Sequence, residues 1–160
     1  MTAPARPAPS IGAPGIALVV VGAVLVLIAF TALDWYPGSA GPSAVAHITF
    51  SDLHRLTADA SGVGIAAAYF GWLAWVLLIL VIVVGFAANL PTRATNALRV
   101  AGFVLGLAGA AATYLALAKL ASAGGGSRGA FDHAKAGVWL AVVGYLVAAA
   151  GAVIGPVRRT

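Results

Sequence analysis

The sequence predicts an all-α integral membrane protein with four transmembrane helices, both termini inside, and a large first outer loop containing a short amphipathic helix. Three observations carry this expectation. Four apolar runs recur along the 160 residues, each long enough at ~1.5 Å per residue to cross the ~30 Å hydrocarbon core. Hydrophobic residues make up 62% of the chain and charged residues only 8%, whereas a soluble domain carries about a quarter charged. Finally, every charged side chain falls outside the runs and none within them.

Residues 1–14 (MTAPARPAPSIGAP) are rich in Pro and Ala and read as a disordered cytoplasmic tail. The single membrane domain covers 15–157, and 158–160 form a basic end. The first span runs from Gly15 to Leu33 and stops at Asp34. Its length exceeds the ~7–15 apolar residues of a cleaved signal, and the small-x-small site at Ala44-Val45-Ala46 lies far downstream, so the reading is an uncleaved signal anchor. The second span covers 65–88 and ends at Leu90-Pro91-Thr92. The third covers 100–118 between Arg99 and Lys119, whose side chains can snorkel to opposite interfaces. The fourth covers 137–155 and stops at Pro156.

The outer loops are 34–64 and 119–136. In the first, Asp34-Trp35-Tyr36-Pro37-Gly38 and Ser39-Ala40-Gly41-Pro42 read as turn chemistry, and AVAHITF (44–50) as a short extended stretch. Ser51 is the expected N-cap of a helix over about 52–60, with Asp52 favourable in its first turn. On that helix Leu53 and Leu56 share a face and are the expected partner-facing residues. The second loop reads as flexible around Gly124–Gly126.

Orientation follows from charge. With the N-terminus inside, Arg6, Arg93, Arg99, Arg158 and Arg159 are cytoplasmic, against Arg55, Lys119, Arg128 and Lys135 outside. All four aspartates (Asp34, Asp52, Asp59, Asp132) fall outside, and Trp35, Trp72, Trp75 and Trp139 suggest an outer aromatic belt. The net charge of +5 is scattered among the spans and forms no basic face, which argues against nucleic acid and for anionic lipid headgroups near the helix ends. The expected location is the cytoplasmic membrane.

The chain contains no cysteine, which excludes disulfides, thiolate metal sites and cysteine nucleophiles. The spans contain no Asp, Glu or His, where coupled transport or intramembrane hydrolysis would place an ionisable group at mid-depth. The absence of a repeat between the two halves also speaks against an inverted-repeat transporter. His47, His54 and His133 share the loops with the aspartates, so a zinc or copper site is chemically conceivable there. No HExxH and no i, i+4 histidine pair supports it, and a Ser51-His54-Asp59 arrangement lacks a nucleophile elbow. The expectation is therefore no catalytic residue, no metal and no cofactor.

The positive signal is small residues at helical spacing. Gly102, Gly106 and Ala110 mark one face of helix three, and Gly144, Ala148 and Ala152 one face of helix four. Gly151-x-x-x-Gly155 lies beside the latter, and helix two carries Ala67-x-x-x-Gly71. Such stripes let backbones approach where packing, not hydrophobicity, drives association. The expected pairing is helix three on helix four, with helix one and Val76–Val84 bulky and facing either lipid or a partner groove.

The plan of a large first loop and a small second one resembles claudin-like four-helix proteins, without their first-loop cysteine pair. FGWLAWVLL at 70–78, the Ala/Val/Gly-rich helices and the GPVRRT ending are similar to small four-helix envelope proteins of actinobacteria, especially mycobacteria. Some proteins of that kind accompany large envelope machines, including Mce-type lipid importers. The resemblance implies a non-enzymatic accessory or scaffold subunit of a larger membrane complex, in contact with membrane lipids. The alternative is a small membrane protein that binds or transports a lipid or solute between its helices.

Overall fold

The computed structural model describes residues 11–38, 47–123 and 131–154. Four helical segments are long and apolar enough to cross a membrane: Ala13–Thr31, Gly64–Ala88, Thr95–Ala123 and Ala136–Ile154. The first span is α1 (Ala13–Thr31), opened by a proline in its first turn, where the missing N–H costs nothing. It closes two residues before the expected Leu33. Asp34–Pro37 then forms strand β1, where turn chemistry was expected, pairing antiparallel with β2 (His47–Thr49). Of the expected 44–50 stretch, residues 44–46 lie outside the described residues, as do residues 1–10 of the tail, Ser39–Pro42, Gly124–Gly126, Gly155 and the basic end.

The loop helix α2 spans Phe50–Ala58, two residues earlier than expected, because Thr49 rather than Ser51 caps it. The Thr49 side chain accepts from the Asp52 N–H at 3.3 Å, and the Asp52 carboxylate accepts from the Thr49 N–H at 3.0 Å. This reciprocal box uses both orphan donors and fixes the helix start. The same bond from the Thr49 backbone, and then the one from its hydroxyl, hold the Asp52 carboxyl below the usual carboxylate range.

The second span is composite: α3 (Gly64–Ala68), a π turn at Tyr69–Leu73, and α4 (Ala74–Ala88). The third span, α5 (Thr95–Ala123), outruns the expected 100–118 at both ends and carries both Arg99 and Lys119 within the helix. At its start the Thr95 hydroxyl accepts from the Thr92 N–H at 3.1 Å and donates to the Thr92 carbonyl at 2.6 Å, closing the tight turn after Pro91. The fourth span is α6 (Ala136–Ile154).

The small-residue faces meet differently from the expectation. A Cβ at Gly102 would stand 2.7 Å from that of Ala152, and one at Gly106 2.5 Å from that of Ala149, so α5 does lie along α6. Ala110 is partly buried against the core. Gly144 and Ala148, however, face α1. A Cβ at Gly144 would lie 2.7 Å from the Gly22 carbonyl, and one at Gly22 2.5 Å from the Ala148 nitrogen. Helix one is thus not uniformly lipid-facing: Gly15, Val19, Gly22, Val26 and Ala29 are buried in one stripe, while Val20, Val21, Val24 and Leu27 are exposed. With lipid tails as apolar as leucine, this backbone approach gains dispersion contacts that bulky side chains would forbid.

Among the described residues, polar side chains inside the bundle are few, and most of their atoms are tied off. The Asn89 side chain donates to the carbonyls of Gly85 (2.8 Å) and Gly151 (3.1 Å), while the Asn89 backbone carbonyl accepts from the Gly12 N–H at 3.0 Å. It thereby joins α1, α4 and α6 at the end where the chain starts. Its Oδ1 has no hydrogen-bond partner and fills the space in which Gly15 lacks a side chain. Deeper in, the Tyr69 hydroxyl bonds the Thr113 hydroxyl at 2.6 Å, Thr113 donates to the Gly109 carbonyl, and Tyr145 donates to the Ala74 carbonyl at 3.1 Å. Each of these bonds satisfies a group that would otherwise cost several kcal/mol in hydrocarbon.

Candidate functional site

The described parts of the two connections, residues 34–38 with 47–63 and residues 131–135, meet at the end of the bundle opposite the chain start, where they build a cap. Its anchor is Trp35 on β1. The indole is fully buried, and its Nε1 donates to the Ala29 carbonyl at 2.7 Å. Ala29 is in the last turn of α1, whose carbonyls have no helical partner, so the tryptophan satisfies a group the helix leaves open. A Cβ at Gly137 would stand 2.6 Å from the Trp35 ring, so the start of α6 is shaped to admit it.

Around Trp35 the aromatic side chains interlock. Phe50, the first residue of α2, meets Trp35 edge-on with centroids 5.3 Å apart and stacks on Phe30 at 4.4 Å. Phe70 of the π turn meets both Trp35 (5.6 Å) and Phe50 (5.2 Å) edge-on. Such pairs contribute about 0.5–1.5 kcal/mol each beyond their buried area. Leu53 and Val63 complete the layer. Because Phe50, Leu53 and Thr57 occupy one stripe of α2, the loop helix is set firmly on the bundle.

The polar edge of the cap adds a second tie. Asp34 Oδ2 lies 2.8 Å from His47 Nδ1 and 4.0 Å from Lys135 Nζ, and the Lys135 N–H donates to the Trp35 carbonyl at 3.0 Å. Thus Asp34 joins β1, β2 and the approach to α6. Next to it, burial pushes the Tyr36 phenol up.

The two residues expected to face a partner part ways. Leu53 is only 4% exposed and belongs to the core, whereas Leu56 is 61% exposed. The correction follows from the helix register, since the inward stripe takes positions 50, 53 and 57 and leaves 56 on its outer flank. His54 and Arg55 are exposed beside Leu56, and the His54 ring lies 3.7 Å from the space above Gly71 in the π turn. Trp35, expected in an aromatic belt, is instead the cap's anchor; Trp72, Trp75 and Trp139 are exposed. Tyr114, Phe131 and Trp139 run as a strip of rings with centroid spacings of 5.6 and 5.2 Å.

Sequence reasoning missed the parts that hold this site together. Trp35 had the look of an interfacial residue, and Gly22 and Gly15, which seat α1 in the bundle away from the cap, stood among bulky neighbours. Phe50 carried a legible signal, since Thr49-Phe50-Ser51-Asp52 has the spacing of a capping box. Among the described residues, no group of three or more His, Asp or Glu side chains could hold a metal ion. Comparison with family models, curated proteins and solved structures finds no match, so the functional reading stands on this chain's own residues.

Proposed function

We propose that this protein is a non-enzymatic accessory or scaffold subunit of a larger membrane complex, with both termini cytoplasmic and the cap displayed on the outer face. The observation that carries the reading is the cap itself. A loop helix seated on the bundle through Trp35, Phe50 and Leu53 leaves Leu56 exposed on a fixed support. Presenting an apolar side chain from a pre-ordered surface lowers the entropy lost on docking. Charge favours the orientation: Arg93 and Arg99 lie at the end away from the cap, Arg6, Arg158 and Arg159 flank the spans on that side in sequence, and all four aspartates lie at the cap end. The similarity to small actinobacterial envelope proteins points to the same class of role.

The test is Leu56→Asp. Its exposure means that the isolated protein should unfold at an unchanged temperature in mild detergent. Recovery of the co-purifying membrane partner should fall about tenfold or more, as for loss of a central interface anchor. A variant that brings down the partner as well as the native chain does would remove Leu56 from the docking surface and defeat this reading.

A further inference from the structure

The end of the bundle away from the cap carries cations that no described residue pairs. Arg93 lies in the turn between α4 and α5, and Arg99 is about one turn into α5. Glutamate is absent from the chain and all four aspartates are at the cap end, so no carboxylate side chain reaches either guanidinium. Arg99 is half-buried, and its Nε is fully enclosed without a hydrogen-bond acceptor. A guanidinium stays charged at any accessible pH, and the donors of Arg99 need acceptors that no described residue supplies.

Depth and neighbours say what that partner is. Arg99 and Lys119 are twenty residues apart on one helix, about 30 Å, so Arg99 stands at headgroup level when Lys119 stands at the opposite interface. One helical turn deeper on the same face is Phe103, exposed, with Val100 exposed beside it. A planar fork of donors above an exposed apolar strip matches a phosphate with an acyl chain beneath it. We propose that Arg93 and Arg99 hold the phosphate of an anionic phospholipid in the leaflet at this end of the bundle. The inference is independent of the cap and of any protein partner.

Native mass spectrometry of the full chain, offered equal phosphatidylglycerol and phosphatidylcholine of the same acyl composition, reads the site directly. The native protein retains phosphatidylglycerol preferentially. Arg93→Gln and Arg99→Gln each reduce the preference about fivefold, and the double variant loses it. Arg55→Gln makes the same charge change at the cap end and leaves the preference intact. Arg93 is exposed, so its variant keeps the test valid should Arg99→Gln fold poorly. Three results overturn the proposal: no preference in the native chain, a double variant that keeps it, or an Arg55→Gln that loses as much. Displacement of the lipid by millimolar inorganic phosphate would show that the site takes free phosphate, which also overturns it.

Discussion

Replacing Gly144 with leucine is expected to destabilise the bundle by about 3 kcal/mol or more. The first added carbon would stand 2.7 Å from both the Gly22 carbonyl oxygen and a Val26 methyl, and 2.9 Å from the Val26 nitrogen. Two of these three atoms are backbone, so no rotamer change relieves the clash. Helix α1 must move away, and its other close approaches move with it: a Cβ at Gly151 would lie 2.7 Å from the Gly15 carbonyl and the Val19 nitrogen. In lipid no hydrophobic gain offsets the lost dispersion contacts. Thermal unfolding in mild detergent measures the effect. Gly64→Ala is the control, since no atom stands within 4 Å of the added methyl, and it should unfold at the native temperature. Equal stability of Gly144→Leu and the native chain would mean that α1 and α6 do not meet backbone to backbone.

The second large effect belongs to Trp35→Ala, which should release the cap and leave the spans assembled. The substitution empties a fully buried site, removes ring contacts with Phe30, Phe50 and Phe70, and strips the Ala29 carbonyl of its donor. Truncating a buried tryptophan costs about 3–5 kcal/mol. Most of that loss falls on β1, β2 and α2, because Trp35 joins them to both α1, through Ala29 and Phe30, and the start of α6, at Gly137. Amide hydrogen exchange in detergent separates the two layers: α2 amides lose protection while those of α1 and α6 retain it. Trp35→Phe, which keeps an aromatic ring but loses the Nε1 bond, should fall between. Unchanged protection of α2 in Trp35→Ala would show that the cap is held elsewhere.

The four spans were legible because length and hydropathy are summed over many residues, and no tertiary contact can hide an apolar run of that length. What the runs could not reveal was which face of each helix turns inward. In α1 the residues Gly15, Val19, Gly22 and Val26 follow a four-three-four spacing, yet valine and leucine on every side give the helix no polar contrast. A soluble helix advertises its buried face by that contrast; a membrane helix facing lipid does not. The α2 register shows the opposite case. Thr49 and Ser51 are both competent caps, and only the aspartate three residues after Thr49 decides between them. The one-residue surplus at the π turn, the Asn89 tie and the Tyr69–Thr113 pair have no local signature, because each is defined by a partner distant in sequence.

The claim on which the functional reading depends is that the cap faces outward from a chain crossing the bilayer four times. Single cysteines at Ser39, Thr95 and Ser127 test it directly, since the native chain has no other thiol. Position 39 follows β1 and position 127 precedes residues 131–135 in sequence, whereas Thr95 opens α5 at the opposite end. A membrane-impermeant thiol reagent applied to intact cells should label 39 and 127 and spare 95. Labelling of 95 alone would turn the cap inward, and labelling of 39 alone would break the four-span topology.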